Sequence, residues 1–231
     1  MPLFLKGREG RGERGNSAYK KGDIRKMRIL ITAGPTREKI DPVRFITNYS
    51  SGKMGYAVAR AAVEAGHQVE LVSGPVTLAA PEKLAGFHRV ESAQEMADKV
   101  FALFPECDAA VMVAAVADYR PAEICTSKMK KSDGDLYLRL ERTTDILAGL
   151  GKMKRADQKL IGFAAETDDL LANAQGKLER KNLDWIVANQ VSDGFGSETN
   201  RVTLLSRHGE KIFIDTADKL SVARRILETV L

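Results

Sequence analysis

Apolar residues along this chain fall into short, nearly unbroken runs separated by stretches of helical periodicity. "MRILITAG" (27–34), "QVELVSGP" (68–75), "DAAVMVAAVADY" (108–119), "KLIGFAAET" (159–167) and "DWIVAN" (184–189) are apolar over the length of a strand. Runs of that kind mark strands covered on both faces. Between them, residues 54–65 ("MGYAVARAAVEA") line up apolar side chains on one helical face and stop at Gly66. Residues 92–104 open with Ser92 and Glu95, a capping box. Thr144 and Asp145 begin another helix, a further one spans 168–181, and a last covers about 216–230. "RVTLLSRHGEKIFID" (201–215) is a hairpin turning at "RHGE". Alternation of strands and helices predicts an α/β protein, a Rossmann-like and mostly parallel sheet with helices on both faces. Residues 120–142 break the rhythm: they are charged and irregular apart from the alternating "DLYLRLE", which predicts a β-flap or arm standing off the core.

Composition narrows the function classes. The chain has 231 residues, 44% of them hydrophobic, enough for one sizeable domain over 27–231. No apolar run reaches membrane-spanning length and the opening residues lack the apolar core of a signal peptide, so a soluble cytoplasmic protein is expected. The formal net charge is +5, but residues 1–26 hold eight Lys/Arg against three Asp/Glu, which leaves the body neutral. Residues 1–26 read as a solvated, disordered basic extension, and nothing in the body points to specific nucleic-acid binding. Cys107 and Cys125 lie far apart without metal-ligand spacing, as suits a reducing compartment. His67, His88 and His208 are scattered, and no Walker loop, Cys–His pair or HExxH is present. Any chemistry must run on positioned charge and hydrogen bonds.

In an open α/β sheet, ligands bind beyond the carboxyl ends of the strands. Those ends read "AGPTRE", "SGPV", "VADYR", "AAETDD" and "ANQVSDGFG", whose joint polarity favours a phosphate-bearing ligand. The stretch "RFITNYSSGKMG" (44–55) places Ser50, Ser51, Gly52 and Gly55 at the start of a helix, with Lys53 among them. Backbone N–H groups there can hold an anion; a plain N-cap followed by a helix-packing glycine is the other option. An NAD(P)-dependent reductase is a rival. Its fingerprint needs the glycines directly after the first strand, whereas "SGKMG" lies far downstream of "LITAG". The second strand also ends in Ser-Gly-Pro rather than in an acid that would hold a ribose.

Taken together, "ITAGPTREKIDPVRFITNYSSGKMG", "AAVADYRP", "SKMKK", "GFAAET" and "KLERKNLDWIVAN" resemble one family over residues 27–231: the phosphopantothenate–cysteine ligases (phosphopantothenoylcysteine synthetases) of coenzyme A biosynthesis. The resemblance implies a stand-alone ligase of the bacterial type. There, the carboxylate of 4′-phosphopantothenate attacks CTP, pyrophosphate leaves, and the amine of L-cysteine displaces CMP from the acyl-cytidylate. Such an anhydride is already electrophilic, so the enzyme supplies alignment and charge neutralisation.

By resemblance, the nucleotide is held by Met112, Val113, Ala114, Asp118, Lys128, Thr144, Asp145, Ile146, Leu147, Phe163, Lys177 and Lys181. Phosphopantothenate is held by Arg44, Asn48, Ser50, Ser51, Gly52, Gly55, Ala114 and Ala115. Asn48, Lys128 and Arg44 take the catalytic roles. Lys177 and Lys181 are four apart and share a helical face, where they meet a polyphosphate or simply face solvent. Lys128 sits in the flap, which can close over the triphosphate. Asn48 can donate to the carbonyl oxygen that gains charge as cysteine attacks. Mg2+ accompanies the triphosphate, with no protein ligand identifiable. At residues 143–146 "TTDI" stands where bacterial bifunctional enzymes carry Asn-Pro-Asp, which leaves ATP as a possible co-substrate. The resemblance further implies a homodimer whose interface strands or flap complete each active site, and a separate phosphopantothenoylcysteine decarboxylase as a possible partner. A non-catalytic nucleotide-binding regulatory subunit is the remaining alternative.

Overall fold

The computed structural model describes residues 25–131, 133–166, 170–190 and 197–231. Expectations for residues 1–24, for the ends of "AAETDD" and "ANQVSDGFG", and for the first two residues of the 168–181 helix lie outside the described residues. In chain order the elements are β1 (Arg28–Ala33), β2 (Arg37–Lys39), β3 (Phe45–Thr47), α1 (Lys53–Glu64), β4 (Gln68–Ser73), β5 (Gly86–Arg89), α2 (Ala93–Leu103), β6 (Ala109–Met112), β7 (Tyr119–Pro121), β8 (Leu140–Arg142), α3 (Ile146–Met153), β9 (Lys159–Glu166), α4 (Leu170–Arg180), β10 (Trp185–Gln190), β11 (Thr199–Ser206), β12 (Lys211–Asp218) and α5 (Lys219–Val230).

The central sheet has eight strands in the order β12-β11-β10-β9-β6-β1-β4-β5. It is parallel from β5 to β10, and the β11–β12 hairpin adds two antiparallel strands at one edge. Alternate residues of each strand feed two cores. Ile29, Ile31, Val111 and Val187 meet α1 and α5 on one face. Leu30, Ala110, Leu160 and Ile186 meet α2, α3 and α4 on the other. Burial on both faces is why these strands read as continuous apolar runs. Among the described residues no helix is long and apolar enough to cross a membrane.

The chain leaves β1 toward β4 and β5, and leaves β6 toward β9 and β10, so β1 and β6 flank the switch point where an α/β sheet opens a ligand crevice. Two structural glycines set the entry to α1. Gly52 is its N-cap residue in the left-handed region (φ 77°), with no side-chain cap. Gly55 lies against the end of β1, where an added Cβ would come within 2.5 Å of the Ala33 Cβ. The helix-packing role of this glycine is therefore real, whatever else the turn does.

Some expectations need correction. The apolar run 108–119 is a strand only over Ala109–Met112; beyond it the backbone bonds to threonine hydroxyls and loop carbonyls instead of to a neighbouring strand. The last helix starts at Lys219 rather than near 216, because β12 continues to Asp218, whose carboxylate then caps the helix through the N–H groups of Leu220 and Ser221. The short strands β2, β3 and β5 carry no readable alternation and were not expected. The flap is present, based on the antiparallel pair β7–β8, but of "DLYLRLE" only the end is paired strand.

Gly55→Ala should cost about 1–3 kcal/mol, the usual penalty for overpacking a filled site. Urea unfolding should show a lower midpoint at unchanged slope.

Candidate active site

The loop 113–118, at the carboxyl end of β6, is held from both sides. Thr32 Oγ1 accepts the N–H groups of Val113 (3.1 Å) and Ala114 (3.2 Å), and Thr36 Oγ1 accepts that of Ala117 (3.0 Å). Ala115 N–H donates to Gly34 O at 2.9 Å. From the far side, the Thr143 hydroxyl donates to Ala117 O (2.6 Å) and its N–H to Asp118 O (3.0 Å). Thr32 and Thr36 are fully buried, so these hydroxyls serve the loop rather than water.

Two cavities open on either side of this loop. The first, about 420 Å³, is lined by Thr32 and Met112, by the α3 entry 143–147, and by Lys177 and Lys181. Asp118, Tyr119 and Arg142 bring the flap base to its rim. The second, about 320 Å³, is lined by Gly34, residues 49–55, residues 113–116, Asn189, Asn200 and Lys219. Ala114, Val116, Asp118, Phe163 and Lys177 line both, so the cavities adjoin across one wall.

Each cavity carries held positive charge. Lys177 donates to Phe163 O at 2.9 Å, and Lys181 pairs with Asp145 at 2.8 Å. Asp145 also caps α3 by accepting Ala148 N–H at 3.0 Å. Burial pushes the Asp145 carboxyl up, but the Lys181 ammonium, the Ala148 N–H and the Lys177 charge outweigh it and leave it below its ordinary value. In the second cavity Lys53 pairs with Glu198, while Lys219 donates to Ser197 O. Burial and the nearby Lys53 lower the Lys219 pKa against the opposing pull of Glu198. Cys107 is buried, and burial pushes its thiol up to about 11, with Arg28 only partly offsetting that, which disfavours the thiolate. Among the described residues no group of three or more His, Cys, Asp or Glu could hold a metal ion.

Most of the residues singled out by sequence meet here. Met112, Ala114, Asp118, Thr144, Asp145, Ile146, Leu147, Phe163, Lys177 and Lys181 line the first cavity. Val113, Ser50, Ser51, Gly52, Gly55 and Ala115 line the second. Asn48 stands behind the shared wall, donating from Nδ2 to Ala115 O (3.1 Å) and Val116 O (3.3 Å), and lines a neighbouring groove with Pro35 and Tyr49. Arg44 and Lys128 line neither cavity. Arg44 binds Asp41 and Met129 O, and Lys128 is exposed on the flap. Thr32, Thr143, Asn189, Asn200 and Lys219 were missed. A threonine inside the buried run "LITAG" was a usable signal, since its hydroxyl needs a partner; Lys219, at the start of the last helix, gave none.

A family model described as the DNA/pantothenate metabolism flavoprotein C-terminal domain matches residues 24–231. The chain belongs to this family. It is 50% identical over 205 residues to the coenzyme A biosynthesis bifunctional protein CoaBC of Bacillus subtilis, covering 87% of this chain and 50% of that protein. The chain thus spans about half the length of the curated relatives it matches. The crystal structure of the C-terminal domain of a CoaBC protein superposes with a TM-score of 0.76 at 48% identity, covering 88% of this chain and 93% of that one. The DNA/pantothenate metabolism flavoprotein from Streptococcus pneumoniae has the same fold at 23% identity, with a TM-score of 0.74 over 88% of this chain and 98% of that one. As in that CoaBC domain, the eight-stranded sheet is mostly parallel and covered by helices on both faces.

Asp145→Ala should cost about 1 kcal/mol at pH 7, the typical worth of an N-cap, since its half-exposed pairing with Lys181 adds little. Because the folded carboxyl titrates below its unfolded value of about 3.9, the part of that contribution that depends on its charge is complete above the unfolded value and is lost as pH falls through the folded one. Denaturant unfolding of both proteins at pH 7 and at a series of pH values below the unfolded one should show the gap between the two stabilities narrowing.

Proposed function

We propose that this chain is a ligase that joins 4′-phosphopantothenate to L-cysteine through an acyl-CMP intermediate, releasing pyrophosphate and CMP. The observation that carries this is the pair of adjoining cavities with one shared wall, each lined by lysines. A nucleoside triphosphate in the first and a phosphorylated acid in the second would meet at residues 114–118, where the α-phosphorus and the carboxylate must react. The 48% identity to the CoaBC C-terminal domain supports the same assignment.

In this mechanism the base lies against the α3 entry, with backbone groups of 144–147 offered to its edge. Asp118 accepts from the ribose, and Lys177 and Lys181 neutralise the phosphates. Ser50, Ser51 and the N–H groups at the start of α1 take the phosphate of phosphopantothenate. Mg2+ accompanies the triphosphate and offsets its charge. Asn48 Nδ2 spends its two protons on Ala115 O and Val116 O, so it exchanges one of those bonds for the carbonyl oxygen as cysteine attacks.

Arg44 and Lys128 act in a homodimer, where the β2–β3 hairpin and the flap of one protomer complete the cavities of its partner. Val43 (59% exposed) on the hairpin and Tyr137 (87%) on the flap give these arms the apolar surface such an interface needs. A phosphopantothenoylcysteine decarboxylase then consumes the product.

Pyrophosphate release from the purified protein should require phosphopantothenate, be faster with CTP than with ATP, and turn over repeatedly only with cysteine. Release by neither nucleotide from folded protein would leave a non-catalytic binding subunit. Asn48→Asp should spare activation but slow transfer to cysteine by about 100-fold, the scale of one lost oxyanion donor, so that acyl-nucleotide accumulates. Lys128→Gln should instead slow the pyrophosphate-releasing step; single-turnover quenching separates the two.

A further inference from the structure

Asp41 sits in the tight turn between β2 and β3, on a surface hairpin, yet its carboxylate is wholly inaccessible to solvent. Its Oδ1 accepts the N–H groups of Val43 and Arg44, both at 2.9 Å, which shapes the turn after Pro42. Its Oδ2 faces the other way. It accepts Arg44 Nε at 2.9 Å and Arg44 Nη2, and also the backbone N–H of Met129 in the flap at 3.1 Å. Arg44 Nη2 returns to Met129 O at 3.0 Å, and Cys125 N–H donates to Ile40 O at 3.0 Å. The flap segment that carries Lys128 is therefore pinned on both sides of that lysine, at Cys125 and at Met129, to one hairpin turn. Arg44, which strongly favours the ionised Asp41, offsets the cost of burying the charge.

We infer that Asp41 is a positioning residue that latches the hairpin to the flap, so that Arg44 and Lys128 are presented to the reaction as one rigid arm. Resting on the ligase function proposed above, it acts through those two side chains and touches no substrate. The latch needs a carboxylate. An asparagine could keep one acceptor for the turn, but its amide nitrogen cannot accept from both Met129 N–H and Arg44.

Asp41→Asn tests this with two readouts. Limited trypsin digestion without substrates should cut after Lys128, Lys130 and Lys131 about tenfold faster than in wild type, while cleavage of the rest of the chain is unchanged. Single-turnover pyrophosphate release should fall by about 10- to 100-fold, the scale of a roughly 1 Å misplacement. In the Asp41→Asn/Lys128→Gln double variant the loss should be smaller than the product of the two single losses, because part of the latch works through that lysine and the rest through Arg44. Multiplied losses, or flap cleavage at the wild-type rate, would overturn the latch. If Asp41→Asn does not fold, Arg44→Lys, which can reach Asp41 but not also Met129 O, should loosen the flap to trypsin; an unchanged flap would overturn the proposal equally. The proteolysis readout needs no turnover. A loosened flap with no activity change in Lys128→Gln would sink the role of Lys128 in the ligase mechanism and leave the structural latch standing, so the two failures are distinguishable.

Discussion

Two buried threonine hydroxyls hold the part of the backbone on which both cavities depend. Beyond Met112 the chain stops being a strand, and the N–H groups of Val113, Ala114 and Ala117 would be left without ladder partners. Thr32 and Thr36 accept all three. Leaving even one such N–H buried and unpaired costs about 1–3 kcal/mol, so the loop has one favourable position. Because that loop is the wall common to both cavities, the separation between the two cavities is set by the end of β1 and the turn after it. The outer carbonyls of the loop, at Ala115 and Val116, are where Asn48 attaches the preceding hairpin.

Around that wall the protein arranges charge rather than reactivity. The body is neutral overall, yet lysines gather at the rims, each held by a carbonyl or carboxylate: Lys177 on Phe163, Lys181 on Asp145, Lys53 on Glu198. Lysines held in this way lose less freedom when an anion arrives, and such preorganisation matters more than the bare count of positive groups. A buried thiol pushed far from ionisation, and the engagement of His67 and His88 elsewhere, fit a mechanism in which the substrates bring all the bonds that are made and broken.

The sheet was legible because burial on both faces leaves unbroken apolar runs, as in "RILITA" and "WIVAN", and because Gly66 and Ser92 punctuate the helices by ordinary capping chemistry. The polar turns that line the cavities were legible for a related reason: they sit at the ends of those runs. What escaped were features set by tertiary pairing. β5 is only "GFHR", and its place at the sheet edge depends on β4, where Glu70 bonds His88 of β5 and Arg28 of β1. The premature end of β6 is invisible in "AAVMVAAVADY" because its apolar residues go on being needed, as cavity wall instead of strand. The isolation of Arg44 and Lys128 from both cavities could not be read from motifs, which carry no distances.

Helix α1 lies between β1 and α5, with Val58, Ala61 and Ala62 in the same core as Val222, Ala223 and Ile226, and with Arg224 bonded to Glu64 at 2.7 Å. In chain order these helices, ending at Glu64 and starting at Lys219, lie about two thirds of the sequence apart. During synthesis the side of α1 that packs on α5 is made well before α5 and waits, uncovered, until that helix emerges from the ribosome. The nascent chain therefore passes through an interval in which this apolar side of α1 is exposed, and rescue by a chaperone, or self-association, competes with its burial there.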